Sequence, residues 1–219
     1  MSSNELFVFT LMIACTLPII IIFFAGTAFS NSRNKKSHQL ALGPQDELWK
    51  GSQLDGDEQK NCTLLLLVDT PTWDMGSNLS IIQDGQEVGS FNFLGTEAFF
   101  KGDFMHKRMY MLEHRYSQEN FDKGVTPGWH VQTSSETIAV LRSSPNAVNQ
   151  VIVADGAEYE VAFHQSHSHI LCRGRVVGAC YRLPFNTTAL AIEKTVPDNL
   201  KAVMLWLSVM PYSAYDRVN

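Results

Sequence analysis

Residues 189–210 read ALAIEKTVPDNLKAVMLWLSVM, and the second half of that stretch decides the fold. Pro197-Asp198-Asn199 predicts a helix start, and Pro211 stops the run that follows. From Leu200 to Met210 only Lys201 and Ser208 are polar, so the helix is apolar on every face and must be buried on all sides. About a dozen residues are too few to cross a bilayer. A re-entrant or membrane-surface helix is the alternative, but no basic face exists to meet headgroups. Enclosure by a sheet is the better physical solution, because a β-meander closed into a barrel can surround such a helix and hide its own edges.

The chain upstream supplies the strands. Thr63 to Val68 is a continuous apolar run ended by Asp69 and Pro71, and Leu79 to Gln83 and Val88 to Phe93 flank the hairpin dipeptide Asp84-Gly85. Met109 to Tyr116, Trp129 to Thr133, Thr137 to Arg142 and Val148 to Ala154 follow at regular intervals. Glu158 to His164 comes after Asp155-Gly156, and Ile170 to Cys172, Val176 to Leu183 and Ala189 to Lys194 complete the series. Hairpins between sequential neighbours make this a mainly β, antiparallel meander, expected to close as a barrel around the C-terminal helix.

Before the barrel comes a different texture. Leu6 to Phe29 reads LFVFTLMIACTLPIIIIFFAGTAF, with no charged residue between Glu5 and Arg33. As a helix that run is about 36 Å long, more than the roughly 30 Å hydrocarbon core. A cleaved secretory signal is the rival expectation, but MSSNE supplies no basic n-region and the apolar stretch is long. Residues 1–30 are therefore expected to be a single transmembrane anchor, 31–60 a polar tether and 61–219 the barrel domain. A flexible tether of that length spans about 30 Å; alternatively its island Glu47-Leu48-Trp49-Lys50 forms a first strand or a docking turn. Arg33, Lys35 and Lys36 follow the apolar run, which puts the domain on the cytoplasmic face, although sequons at Asn61, Asn78 and Asn186 pull the other way.

Composition narrows the function classes. The 219 residues carry a net charge of -5, which argues against nucleic acid as a partner. Of four cysteines, Cys15 lies in the apolar run, and Cys62, Cys172 and Cys180 form no CxxC pair; reduced thiols fit best. No nucleophile elbow, phosphate loop or HExxH helix is present, so no enzyme activity and no cofactor is expected. The acidic group Asp55, Asp57, Glu58 lacks the glycine an EF-hand requires, since Lys60 stands there, and is expected to be a solvated loop.

A meander of roughly a dozen strands followed by a wholly apolar helix resembles the tubby-like superfamily, which includes the tubby C-terminal domain, LURP-one-related proteins and phospholipid scramblases. The likeness covers about Leu64 to Met210 and is carried by VIVADGAEYEVAF (151–163), VVGACYRL (176–183) and the 189–210 stretch. It implies a membrane-associated, non-enzymatic barrel that meets anionic lipid. It brings no ligand residues with it.

Two groups of side chains are candidate sites. KGDFMHKRMYMLEHR (101–115) concentrates Lys101, Lys107, Arg108 and Arg115 with His106 and His114, and Phe99, Phe100 and Phe104 beside them could insert into a bilayer. Such residues attract anionic headgroups at about 1 kcal/mol each near the surface; solvent-facing strand charges with core aromatics are the plainer expectation. His164, His167 and His169 form H-x-x-H-x-H, of which His167 and His169 share a strand face. With no carboxylate nearby, a His-rich turn is expected ahead of a metal site. The functional expectation is a membrane-anchored binding or scaffold protein touching the bilayer, with anionic phospholipid or other membrane subunits as partners. The alternatives are an accessory subunit of a larger membrane complex and, last, a metal-dependent enzyme.

Overall fold

In the computed structural model, residues 32–69, 77–143, 150–164 and 167–209 are described. The expected anchor lies outside these residues; among those described, no helix is long and apolar enough to cross a membrane. Twelve strands form one closed antiparallel barrel: β1 (Cys62–Asp69), β2 (Ser77–Gln83), β3 (Gln86–Leu94), β4 (Glu97–Gly102), β5 (Lys107–His114), β6 (Gly128–Gln132), β7 (Thr137–Ser143), β8 (Gln150–Ala154), β9 (Ala157–Phe163), β10 (His167–Cys172), β11 (Arg175–Leu183) and β12 (Thr187–Glu193). Every strand pairs with its sequence neighbours, and β1 closes the ring against β12 with Leu65 opposite Leu190.

The Asp-Gly turns do what the sequence predicts. Asp84 and Gly85 have φ of 51° and 76°, Asp155 and Gly156 50° and 73°, the paired positive values of a tight hairpin whose twist matches the strands. Eleven strands match expected segments. The twelfth, β4, was not expected, and neither was the short helix α4 (Gln118–Asp122), capped by Ser117 Oγ accepting from Asn120 N at 3.1 Å.

The antiparallel register defines two rims. Gly95-Thr96, residues 115–127, His164 and Pro184–Asn186 lie at one end, called upper; Asp84-Gly85, residues 103–106, 133–136, Asp155-Gly156 and Arg173-Gly174 lie at the lower end. The last helix, α5 (Asp198–Val209), follows β12 at the lower rim and runs upward. Lys107 Nζ donates to Asn199 Oδ1 at its start (3.1 Å), and an Arg182 guanidinium nitrogen donates to the Ser208 carbonyl near its end (3.3 Å).

A single apolar cluster joins Leu200 and Ala202 to Trp206 of α5 with inward side chains from all twelve strands, among them Leu65, Ile81, Phe91, Phe100, Met109, Val131, Leu141, Ile152, Val161, Ile170, Val177 and Ile192. Residues 200–206 are buried on every face, as an all-round apolar helix requires. The helix fills the barrel. Lys201, the one charged residue among them, keeps its ammonium paired with Asp198 Oδ1 at 2.9 Å.

The expected polar tether is folded. Residues 32–41 are helical (α1), followed by α2 (Gln45–Trp49), a 3-10 turn (Lys50–Ser52) and α3 (Gly56–Asn61). Ala41, Leu48 and Leu54 pack on an outer-wall apolar surface made by Leu64, Leu66 and Val68 of β1, Ala179 and Tyr181 of β11, and Ala189 and Ala191 of β12. Tyr181 Oη donates to the Leu48 carbonyl at 2.8 Å, and Gly51 lies so close that an added Cβ would meet the Tyr181 ring at 2.4 Å. The docking-turn alternative for residues 47–50 thus holds for Leu48. Asp55, Asp57 and Glu58 are no loop site: Asp55 Oδ1 accepts from both Asp57 N and Glu58 N, and Glu58 returns the bond to Asp55 N, a capping box that starts α3.

At the lower rim Arg175 grips Glu193 with two nitrogens, one at 3.0 Å, and holds its carboxyl below the ordinary range. A carboxyl that titrates lower folded than unfolded adds stability above the unfolded value, about pH 4.3, and loses it as pH falls toward the folded one. Glu193→Gln is expected to flatten the acid limb of a melting-temperature profile between pH 7 and 3; an unchanged acid slope would exclude this contribution.

Candidate functional site

The basic segment does not form one patch. Alternation along β5 sends Lys107 toward the barrel mouth, where it bonds Asn199 and Glu136, and Arg108 outward, 5.8 Å from the Phe99 ring. Arg115, about 25 Å further along the chain, forks onto Glu113 through two 3.1 Å bonds. Lys101 is exposed near the end of β4, at the lower half with Lys107 and Arg108. Of the aromatics expected to insert, Phe100 is fully buried in the barrel, stacked on Phe91 at 4.5 Å, and Phe104 packs against the same core; only Phe99 faces out, edge-on to His106.

Exposed apolar side chains gather elsewhere. Leu94 (67% exposed), Tyr116 (77%), Phe121 (65%) and Phe185 (40%) all sit on upper-rim connections or at their edges; of the other large exposed hydrophobics among the described residues, Leu112 lies in the upper half of β5 and Leu42 follows α1. The upper rim is also where α1 begins. Arg33 lies near Asp69, at the upper end of β1, and Lys36 Nζ stands 5.9 Å from the Phe185 ring. Burial pushes the Asp69 carboxyl up, and Arg33 opposes that shift. From the upper rim, α1 and the segments after it descend the outer wall to β1.

The third group is the histidine cluster, on the outer wall of β9 and β10 just below the upper rim. The hairpin bond from His164 N to the His167 carbonyl (2.9 Å) brings His164 to the other two, so all three rings meet: centroids are 4.8 Å apart for His164–His167, 5.3 Å for His164–His169 and 4.6 Å for His167–His169. One ring nitrogen from each of the three lies within 4.8 Å of those of the other two. Burial, then His169 and His164, hold the His167 imidazolium off, lowering its pKa. His169 Nε2 is buried with no hydrogen-bond partner among the described residues. In register, His167 faces Tyr181 and His169 faces Ala179, the strand on which the α2 region is seated.

A second pair, missed in the sequence because the residues are sixteen apart, is His114 and His130, with centroids 4.4 Å apart on β5 and β6. Here His130 Nε2 contacts the Thr126 carbonyl at 2.6 Å, and burial lowers its pKa against that bond. Cys62, Cys172 and Cys180 are free, and burial pushes the Cys62 and Cys180 thiols up to about 11. At the lower mouth a depression of about 260 Å³ ends on the Asp198–Lys201 pair.

These features define a class by architecture: a twelve-stranded antiparallel barrel filled by its own C-terminal helix, with an N-terminal helical strap on its outer wall. No family model, curated protein or solved structure matches the chain.

Proposed function

We propose that the chain is a membrane-anchored, non-enzymatic binding or scaffold protein of tubby-like type, whose barrel meets the bilayer, anionic phospholipid included, from the cytoplasmic side. One observation carries this reading. The rim with exposed Leu94, Tyr116, Phe121 and Phe185 is the rim at which α1 begins, just downstream of the apolar run 6–29. Aromatic and aliphatic side chains at that rim suit the headgroup boundary, and Lys35 and Lys36 suit an anionic leaflet. The lumen, occupied by α5, leaves the outer surface as the working part. Lys101, Lys107 and Arg108 lie at the other end of the barrel.

The test uses the full chain in vesicles of phosphatidylcholine with and without phosphatidylserine. Spin labels at positions 94, 116, 121 and 185 are expected to favour apolar oxygen over a water-soluble relaxant, whereas labels at 84, 155 and 173 remain fully aqueous. Equal aqueous access at both rims would overturn the rim contact. Shielding of the upper labels from both probes would instead favour a protein subunit there. Extraction of the chain from vesicles by alkaline carbonate would overturn the anchor itself.

A further inference from the structure

We infer that His164, His167 and His169 form a binding site for one borderline divalent transition-metal ion, of the zinc(II) or copper(II) class, built on the outer wall of the β9–β10 hairpin, one strand away from the β11 surface on which the N-terminal strap is seated. Three observations carry it independently of the membrane reading. The donors are three imidazoles brought together by backbone register, His167 and His169 from alternate positions of β10 and His164 by the hairpin bond to His167. Their mutual spacing, within 4.8 Å, is one side-chain rotation from the roughly 3.3 Å that nitrogens adopt around a tetrahedral ion with bonds of about 2.0–2.1 Å. And His169 Nε2 is a buried polar atom that nothing among the described residues satisfies, which is costly unless a ligand takes it up.

The donor set selects the ion. Neutral nitrogen ligands without a carboxylate suit zinc, copper or nickel and disfavour calcium and magnesium, which require oxygen. Tyr181, opposite His167, is not a fourth ligand, because its hydroxyl is committed to the Leu48 carbonyl. His164 is exposed, so the fourth position opens to water. The bound ion would tie the end of β9 to the start of β10.

The experiment uses the full chain without a polyhistidine tag, in detergent or nanodiscs, stripped by chelator and then dialysed against zinc chloride. Elemental analysis is expected to find one zinc per chain, and cobalt(II) in its place should give the visible absorption of a tetrahedral site. His167→Ala with His169→Ala should abolish retention, and His164→Ala, an exposed change that leaves the wall intact, should weaken binding at least tenfold. His114→Ala with His130→Ala should leave it unchanged. Zinc should raise the melting temperature of the parent chain and not that of the His167/His169 variant. No retained ion, or retention equal in His164→Ala and the parent, overturns the site.

Discussion

Trp206→Ala is expected to lower the unfolding free energy by about 3–5 kcal/mol, a large share of the stability of a typical domain. Trp206 is fully buried in the filled lumen, packed with α5 neighbours and the inward side chains of the strands. Alanine there leaves a cavity that a closed barrel cannot collapse around, since every strand is held by two others. The indole Nε1 has no hydrogen-bond partner. Trp206→Phe, which keeps most of the apolar volume and removes that unpaired N–H, should therefore cost less than about 1.5 kcal/mol. Denaturant titrations followed by circular dichroism measure both. An alanine variant as stable as its parent would mean that α5 is not the core of the barrel.

The second large effect concerns the strap. Tyr181→Ala removes a buried ring and the hydroxyl that holds the Leu48 carbonyl, and should shift strap docking by about 3 kcal/mol or more while leaving the lumen untouched. Tyr181→Phe, which loses only the hydrogen bond, should cost about 1 kcal/mol. Gly51→Val attacks the same contact from the other side, because even a Cβ would meet the ring at 2.4 Å. Limited proteolysis reads the result: cleavage within residues 42–54 should become fast in Tyr181→Ala and Gly51→Val, with the barrel surviving as a resistant core. If the barrel is lost together with the strap, the two are one cooperative unit and the separation fails.

The strands and the enclosed helix were legible because their signals are local: alternation, Asp-Gly turns, and an apolar helix with no polar face to give to solvent. β4 escaped because Glu97–Gly102 is only six residues, starting just after Gly95-Thr96 and ending on a glycine, and its lysine drew attention as charge instead of pattern. The strap escaped for another reason. Its apolar anchors, Ala41, Leu48 and Leu54, are isolated in polar sequence, and part of the surface they pack on, Ala179, Tyr181, Ala189 and Ala191, is more than a hundred positions away. The signal was on the other partner: Leu64 to Leu67 is unbroken, and a strand apolar on both faces needs a cover on its outer side. Ala179, Ala189 and Ala191, small and outward, mark where that cover fits closely.

The linear basic cluster dissolved because a period of two divides neighbours between lumen and exterior, as Lys107 and Arg108 show. Conversely, His164 joined His167 and His169 only once the hairpin register was known. The rim asymmetry could not be read at all before the closure of the ring assigned each turn to an end.

Closing the ring with β1 against β12, and filling it with the helix that follows, also sets when the molecule can form. During synthesis, the inner face of β1 waits until residue 209 has been added, roughly 7–30 s of translation at about 5–20 residues per second. A nascent chain holding that much apolar strand without its filling is a natural client for a holding chaperone, and a message cut short before residue 198 removes α5 and with it the apolar side chains that occupy the lumen.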